Sequence, residues 1–265
     1  MIKAEIIEDS VNMYGKRITT VLCIYPRFIH SELKTHRVFS TNSGSSRAIP
    51  TKKLIEFIKQ NTTAPNPFRQ NQSGMVPGDK VSDLVNTASH LVWNTHMRAS
   101  VMASKALNLL GVHKQWANRL MEPHAHIQTL ITATDWDNFF SLRCATDAQD
   151  EINELAWAIK YAMDASKPKE LVQGKWHLPF IKDGERDEST DTLKMISAAR
   201  CARISYLTDN GFVGEKSKEL DRAVKLRDSR HSSCFEHQAM SSYEGVNCQG
   251  NFSGGWVQFR KTLGI

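Results

Sequence analysis

From residue 79 to residue 110 the chain carries apolar side chains at a sustained helical period. Val81, Leu84, Val85, Ala88, Leu91 and Val92 recur at three- and four-residue steps, and Met102, Ala106, Leu107 and Leu110 continue the row. This spacing predicts one long helix with an apolar stripe, ended by Gly111. Around it, residues 17–25 (RITTVLCIY) are rich in β-branched side chains and read as a strand, and Pro26 opens a short helical stretch, PRFIHSELKTHR. Residues 61–78 hold three prolines and many amides and read as an irregular insertion, and 166–191, with Pro168, Gly174, Pro179 and Gly184, as a long tether. Further helices are expected at about 113–121, 136–163 with a break near 143–147, 192–203 and 215–227. Strand, helix, loop and then a mostly helical body, without βαβ alternation, predict an α+β fold in a single domain spanning 1–265.

Composition narrows the function. The 265 residues are 40% hydrophobic and 23% charged, ordinary for a globular chain, and no apolar run approaches the roughly 20 residues that span a bilayer. The first residues mix charges of both signs and lack a signal-peptide core. Cys23, Cys144, Cys201, Cys234 and Cys248 are scattered and form no CxxC pair, so reduced thiols and a cytoplasmic location are expected. A net charge of +6, dispersed over single arginines and lysines, suits an anionic ligand: a nucleotide, a dinucleotide cofactor or nucleic acid. Neither GxGxxG nor GxxxxGK[ST] occurs.

The densest polar constellation is 35–47, THRVFSTNSGSSR. Arginine forks, short hydroxyls and main-chain N–H groups can make an anion cradle, and the same composition also suits a Ser-rich surface loop. In register, His36, Arg37, Ser40, Asn42, Ser45 and Arg47 match the R-H-R-x-x-S-x-N-E-x-S-x-R motif of the flavin-dependent thymidylate synthases, with Thr35 and Ser43 in place of its first Arg and its Glu. Residues 138–143 (NFFSLR) with 148–152 (AQDEI) resemble the family's N-F-L-x-L-R…A-Q-x-E-I segment, and 117–123 (ANRLMEP) resembles its A-R-x-x-L-P stretch. Residues 200–206 (RCARISY) and 231–237 (HSSCFEH) are similar to A-A-R-x-S-[FY] and H-x-[ST]-P-F-E-H. In ordinary members those two segments precede the R-H-R motif, so the order here reads as circularly permuted, and the pattern looks phage-like.

The resemblance implies a small antiparallel sheet with a long-helix body, a homotetramer, and FAD at subunit interfaces. It also implies NADPH and methylenetetrahydrofolate as co-substrates for methylation of deoxyuridylate. Carried over by motif, Arg143 and Ser45 fall in the catalytic set, and Arg47, Arg119, Ser45 and Arg143 bind substrate. His36, Arg37, Asn42, Asn138, Ser205, His231, Ser233 and Glu236 line the flavin site. Thr35 and Ser43 leave open another pyrimidine nucleotide such as deoxycytidylate, or a hydroxymethyl product. Other chemistries are weaker matches: Cys234 as a nucleophile between His231 and His237, a metal at His113, His124 and His126 with Glu122 nearby, or a non-catalytic nucleic-acid-binding protein using Arg27, Lys34, Arg37 and Arg47 with Tyr25, Phe28 and Phe39. No metal, membrane or stable nucleic-acid partner is expected.

Overall fold

The computed structural model describes residues 2–206, 213–243, 245 and 250–264. β1 (Lys3–Asn12) and β2 (Arg17–Pro26) form an antiparallel hairpin, and α1 (His30–Lys34) follows a short 3-10 turn. β3 (Ser40–Ser43), α2 (Thr51–Gln60), α3 (Asp83–Leu109) and α4 (Lys114–Ala117) come next, then a 3-10 stretch, Asn118–His124. β4 (His126–Ala133), α5 (Asp137–Arg143) and α6 (Asp150–Ala165) complete the first part. β5 (Lys169–Leu171), β6 (Trp176–His177), α7 (Thr190–Ala202), α8 (Lys216–Asp228), β7 (Ala239–Ser241), β8 (Trp256–Gln258) and α9 (Phe259–Leu263) finish the chain order.

One sheet has the order β3-β4-β2-β1-β5, a second β6-β7-β8. All pairs are antiparallel except β1 with β5, so the expected antiparallel sheet carries one parallel edge strand and a second small sheet beside it. β2 reads as nearly continuous apolar sequence because both of its faces are covered. Val21, Cys23 and Tyr25 pack with Ile152, Leu155, Ala156 and Ile159 of α6, while Leu22 and Leu130 pack with Ala198, Cys201, Phe235 and Phe259.

Between the two sheets lies a buried hydroxyl–imidazole chain. Ser10 Oγ meets His177 Nδ1 at 3.0 Å, His177 Nε2 meets Thr20 at 2.8 Å, Thr20 meets Thr132 at 2.7 Å, and Thr132 meets His237 Nδ1 at 2.9 Å. Burial pushes both histidines down to about 3, so they are neutral at physiological pH.

Two expectations change. The stretch 166–191 is no free tether: it supplies β5 and β6, and Leu171, Leu178 and Ile181 are buried. Its prolines and glycines shape turns between short packed strands. The long helix forms as the period predicts, but its apolar stripe faces outward. Leu84, Val85, Leu91, Val92, Met102 and Leu109 are exposed, and the buried positions of α3 are Ser100, Val101 and Ser104. The covered face is read by small residues, which a search for large apolar side chains passes over.

Candidate active site

β3 has too few apolar residues to form a strand alone. It is held by pairing with β4, Ser40 opposite Thr132 through Ser43 opposite Thr129, and Gly44 N–H extends the ladder to Gln128 O at 2.8 Å. The turn after α7 is stapled to the same edge. Asn42 Nδ2 donates to Cys201 O (3.1 Å), Ser45 N–H to Ser205 O (3.1 Å), and Gln128 Nε2 to Ile204 O (3.2 Å) and Tyr206 O (3.3 Å). Asn118, fully buried, fixes the following turn through Ser46 O (2.7 Å) and Ile49 O (2.9 Å). Asn42, Ser45 and Ser205, distant in sequence, thus share one edge of the sheet.

Beside that edge, Glu122 Oε1 accepts from the Ser46 hydroxyl (2.5 Å), and lies 3.1 Å from Arg27 Nη2 and 3.5 Å from Arg119 Nη1. The adjoining cleft is lined by Gly44, Ile49, His126, Gln128, Ile204 and Tyr206, and its enclosed volume is ≈ 20 Å³, room for about one water. Burial holds His126 down at about 4.

A second cluster forms where α5 ends. Arg143 Nε donates to His36 Nε2 at 3.0 Å, and Nη2 to the Thr35 hydroxyl at 3.3 Å. Asn153 of α6 donates to Arg143 O and Ala145 O, both at 2.9 Å, and so fixes the end of that helix. The His36 ring packs edge-on against Phe139 (4.9 Å between centroids) and beside Phe39 (5.7 Å). Burial first, then the Arg143 charge, pushes the His36 pKa below the ordinary histidine range, which leaves Nε2 free to accept.

The other expected site residues stand apart from these clusters. Arg37 and Arg47 are exposed, and among the described residues neither makes a hydrogen bond or ion pair. Asn138 is exposed on α5, and Ser233 is exposed on the 3-10 turn Ser232–Glu236. His231 Nδ1 meets Ser229 Oγ at 3.0 Å. Glu236 is ion-paired with Arg260, and its carbonyl accepts from Gln258 Nε2 (2.9 Å), which also reaches Ser40 (2.9 Å) and so ties this turn to β3. Arg27, Ser46, Glu122 and Gln128, which gather at this edge, are not among the nucleotide- or flavin-site residues that the motifs imply. Glu122, standing where the A-R-x-x-L-P pattern has Leu, was the visible signal.

The competing chemistries fare poorly. Cys234 is buried, its Sγ donates to His231 O at 3.5 Å, and burial pushes its thiol up to about 12, so it is no ready thiolate. Tyr25 and Phe39 are buried and Phe28 packs edge-on against Trp93, so these rings offer no stacking platform to bases. His124 sits in the 3-10 stretch against Trp93 and His96, with its Nε2 2.8 Å from His96 Nδ1. Among the described residues no group of three or more His, Cys, Asp or Glu converges as metal ligands, and no helix is long and apolar enough to cross a membrane.

The architecture is shared with nucleotide methylases. Crystal structures of the UMP/dUMP methylase PolB from Streptomyces cacaoi, bound with 5-Br UMP and with 5-Br dUMP, each superpose with a TM-score of 0.50 at 15% identity. They cover 62% of this chain and 88% and 90% of theirs, a similarity of fold. No curated protein matches in sequence. The family model described as Thymidylate synthase complementing protein (Thy1) matches residues 17–169, more than half of the chain. The protein belongs to that family, the flavin-dependent thymidylate synthases, and is a thymidylate synthase-like methyltransferase.

Proposed function

We propose that the protein converts deoxyuridylate to thymidylate, with FAD as bound cofactor and NADPH and methylenetetrahydrofolate as co-substrates. The observation that carries this is the meeting of Arg143 with His36 and Thr35, which joins the end of α5 to the first motif across 107 residues. In this reading Arg143 polarises the pyrimidine and stabilises charge developing on its ring. Ser45, Arg47 and Arg119 bind the nucleotide, while His36, Arg37, Asn42, Asn138, Ser205, His231, Ser233 and Glu236 form the flavin environment. The residue types fit a diphosphate-bearing cofactor: Arg37, next to His36 in the chain, is an exposed cation without a partner among the described residues. When bound, the flavin supplies the redox chemistry, and the protein binds, orients and polarises.

A homotetramer with sites between subunits suits the scattered exposed donors. The outward face of α3 supports it, because Ala88, Ala99 and Ala106 alternate there with Val85, Val92, Met102 and Leu109, a row that a second copy can interdigitate. A permuted segment order accounts for residues 201–206 and 232–236 reaching the β3 edge from late in the chain.

The neutral side chains at Thr35 and Ser43 favour a second reading, in which deoxycytidylate is the substrate or a hydroxymethyl group is installed. Thr35 takes a hydrogen bond from Arg143 and Ser43 one from Thr129 (3.1 Å), so both positions are filled by short hydroxyls.

The test is the mass of the nucleotide formed with FAD, NADPH and methylenetetrahydrofolate, with deoxyuridylate and deoxycytidylate run in parallel. A methyl added to deoxyuridylate is expected. No product from either, with flavin bound, overturns the proposal. Arg143→Ala should lower turnover per bound flavin on the order of 10²–10³-fold with flavin content kept. Flavin lost at unchanged turnover per bound flavin refutes the role given to Arg143.

A further inference from the structure

The proline-rich segment that precedes α3 is strapped onto that helix. Asn86 Oδ1 accepts from Phe68 N–H (3.0 Å), Trp93 Nε1 donates to Thr63 O (2.6 Å), and the Phe68 ring packs edge-on against His90 (5.2 Å) and Trp93 (6.2 Å). Residues 69–80 fold back on themselves. Gln70 N–H donates to Asp79 O (2.8 Å), Gly78 N–H to Gln70 O (2.9 Å) and Val81 N–H to Phe68 O (3.1 Å), with Arg69 opposite Lys80. Arg69 therefore stands on a small hairpin whose base is fixed to α3.

Its guanidinium reaches the start of α6. Nε donates to Asp150 Oδ2 and Nη2 to Asp150 Oδ1, both at 2.7 Å, a two-pronged geometry that fixes direction as well as distance. Beside this pair the hairpin and α6 border a cavity of ≈ 280 Å³ lined by Pro65, Pro67, Met75, Pro77, Gln149 and Glu151, so the fork spans a gap that apolar packing leaves open. Asp150 is the first residue of α6, and its N-cap, Gln149, gives no side-chain bond to the first-turn N–H groups. Asn153 N–H closes the first turn on Gln149 O (3.0 Å), and the same residue's Nδ2 holds Arg143 O and Ala145 O. A run of bonds thus leads from α3 through Arg69, Asp150 and Asn153 to the arginine that meets His36 and Thr35.

We infer that Arg69 is a positioning residue for Arg143, setting where that guanidinium meets His36 by pinning the first turn of α6 through Asp150. Without the fork the uncapped turn frays, Asn153 loosens its hold on the Arg143 and Ala145 carbonyls, and the Arg143 side chain leaves His36 Nε2. The placement stands on these contacts. Its effect on turnover rests on the role proposed above for Arg143.

The test compares the full chain, carrying ¹⁵N-labelled histidine, with Arg69→Ala, Arg69→Lys and Asp150→Asn. In wild type His36 Nε2 accepts from Arg143, so nitrogen shifts should place the ring proton on Nδ1. Arg69→Ala and Asp150→Asn should each show both tautomers. The His36 titration midpoint, held low by burial and then by the Arg143 charge, should rise in both. Phe39 and Phe139, the rings packed against His36, carry no charge and cannot imitate that rise. Arg69→Lys, charged but without the fork, should fall between wild type and Arg69→Ala. Asp150→Asn keeps the side-chain volume, so an alanine variant that fails to fold does not end the test. The double variant should be no worse than either single one, because both break the same link. With deoxyuridylate, kcat per bound flavin should fall about fivefold in each, with KM changed less.

His36 unchanged in tautomer and midpoint in both Arg69→Ala and Asp150→Asn overturns the inference, whatever turnover does. An altered His36 at full turnover overturns the positioning role. An altered His36 with no turnover even in wild type upholds the placement and sinks the function proposed above.

Discussion

α3 and α6 are the two long helices of this protein, and they use the same helical period in opposite ways. α6 turns Ile152, Leu155, Ala156, Ile159 and Met163 into the core against β1 and β2. α3, about 40 Å long over its 27 residues, turns its large apolar side chains outward and buries Ser100, Val101 and Ser104. Periodicity establishes that a helix has an apolar face. It does not establish what covers that face: the fold's own sheet covers it in one case, and in the other the large apolar side chains are exposed.

The comparison can be broken most sharply by truncation. Leu155→Ala should cost about 2–5 kcal/mol, read as a lower urea midpoint, because it opens a cavity in a closed layer. Leu91→Ala, at a position 67% exposed, should cost within about 0.5 kcal/mol in dilute protein. Equal losses at the two positions would show that α3 is packed in the same manner as α6.

A second cut sets the dry α6 layer against the polar layer on the other side of the sheet. His177 and His237 are held neutral at about 3, below the ordinary 6.5 they regain on unfolding, so the unfolded chain takes up protons first as pH falls. Their contribution is intact above pH 6.5 and is lost as pH falls from there toward 3, together about 3 kcal/mol at pH 5.5. Glu8 works against this, since burial, partly offset by Arg186, raises it to about 7. Its folded pKa lies above the unfolded one, so it adds about 2 kcal/mol between pH 7.5 and 5.5. Glu8→Gln should therefore lose about 2 kcal/mol more than wild type over that interval in urea unfolding. An equal loss in both would mean that Glu8 is ionised in the fold.

The smallest effect on the fold itself is expected from charge on the outward row of α3. Leu91→Glu combined with Met102→Glu should leave the far-ultraviolet dichroism of the dilute protein unchanged, within about 0.5 kcal/mol of wild-type stability, while lowering the mass seen in sedimentation. An unaltered mass would show that this row makes no contact between copies of the chain.

Much of the helical body was legible because its period is long and uninterrupted: α3, α6, α7 and α8 lie close to where the spacing puts them. The sheet was far less so. β1, KAEIIEDSVN, mixes charges with apolar residues at an edge-facing rhythm, and β3, STNS, has no apolar residue at all and exists because β4 pairs with it. Of the residues that the motifs single out, Arg143 and His36 come from separate segments and meet in the structure. The Arg27–Ser46–Glu122 meeting was not legible, because it joins three segments from separate parts of the chain and spacing within one segment cannot report it.

The core between the two sheets has a consequence for synthesis. Trp256 Nε1 donates to Lys16 O (3.0 Å), Asn12 Nδ2 to Gly254 O (2.7 Å), and Phe252, Trp256 and Phe259 are buried among residues from the first hairpin and α7. The β1–β2 hairpin therefore leaves the ribosome long before the side chains that cover its second face. Until residues 252–259 emerge, that face is incompletely covered, with Ile18 and Leu22 beside the Ser10 and Thr20 hydroxyls, and closure waits on contacts more than two hundred residues apart in sequence. Packing on the second face of the hairpin is therefore completed only after residues 252–259 have been made.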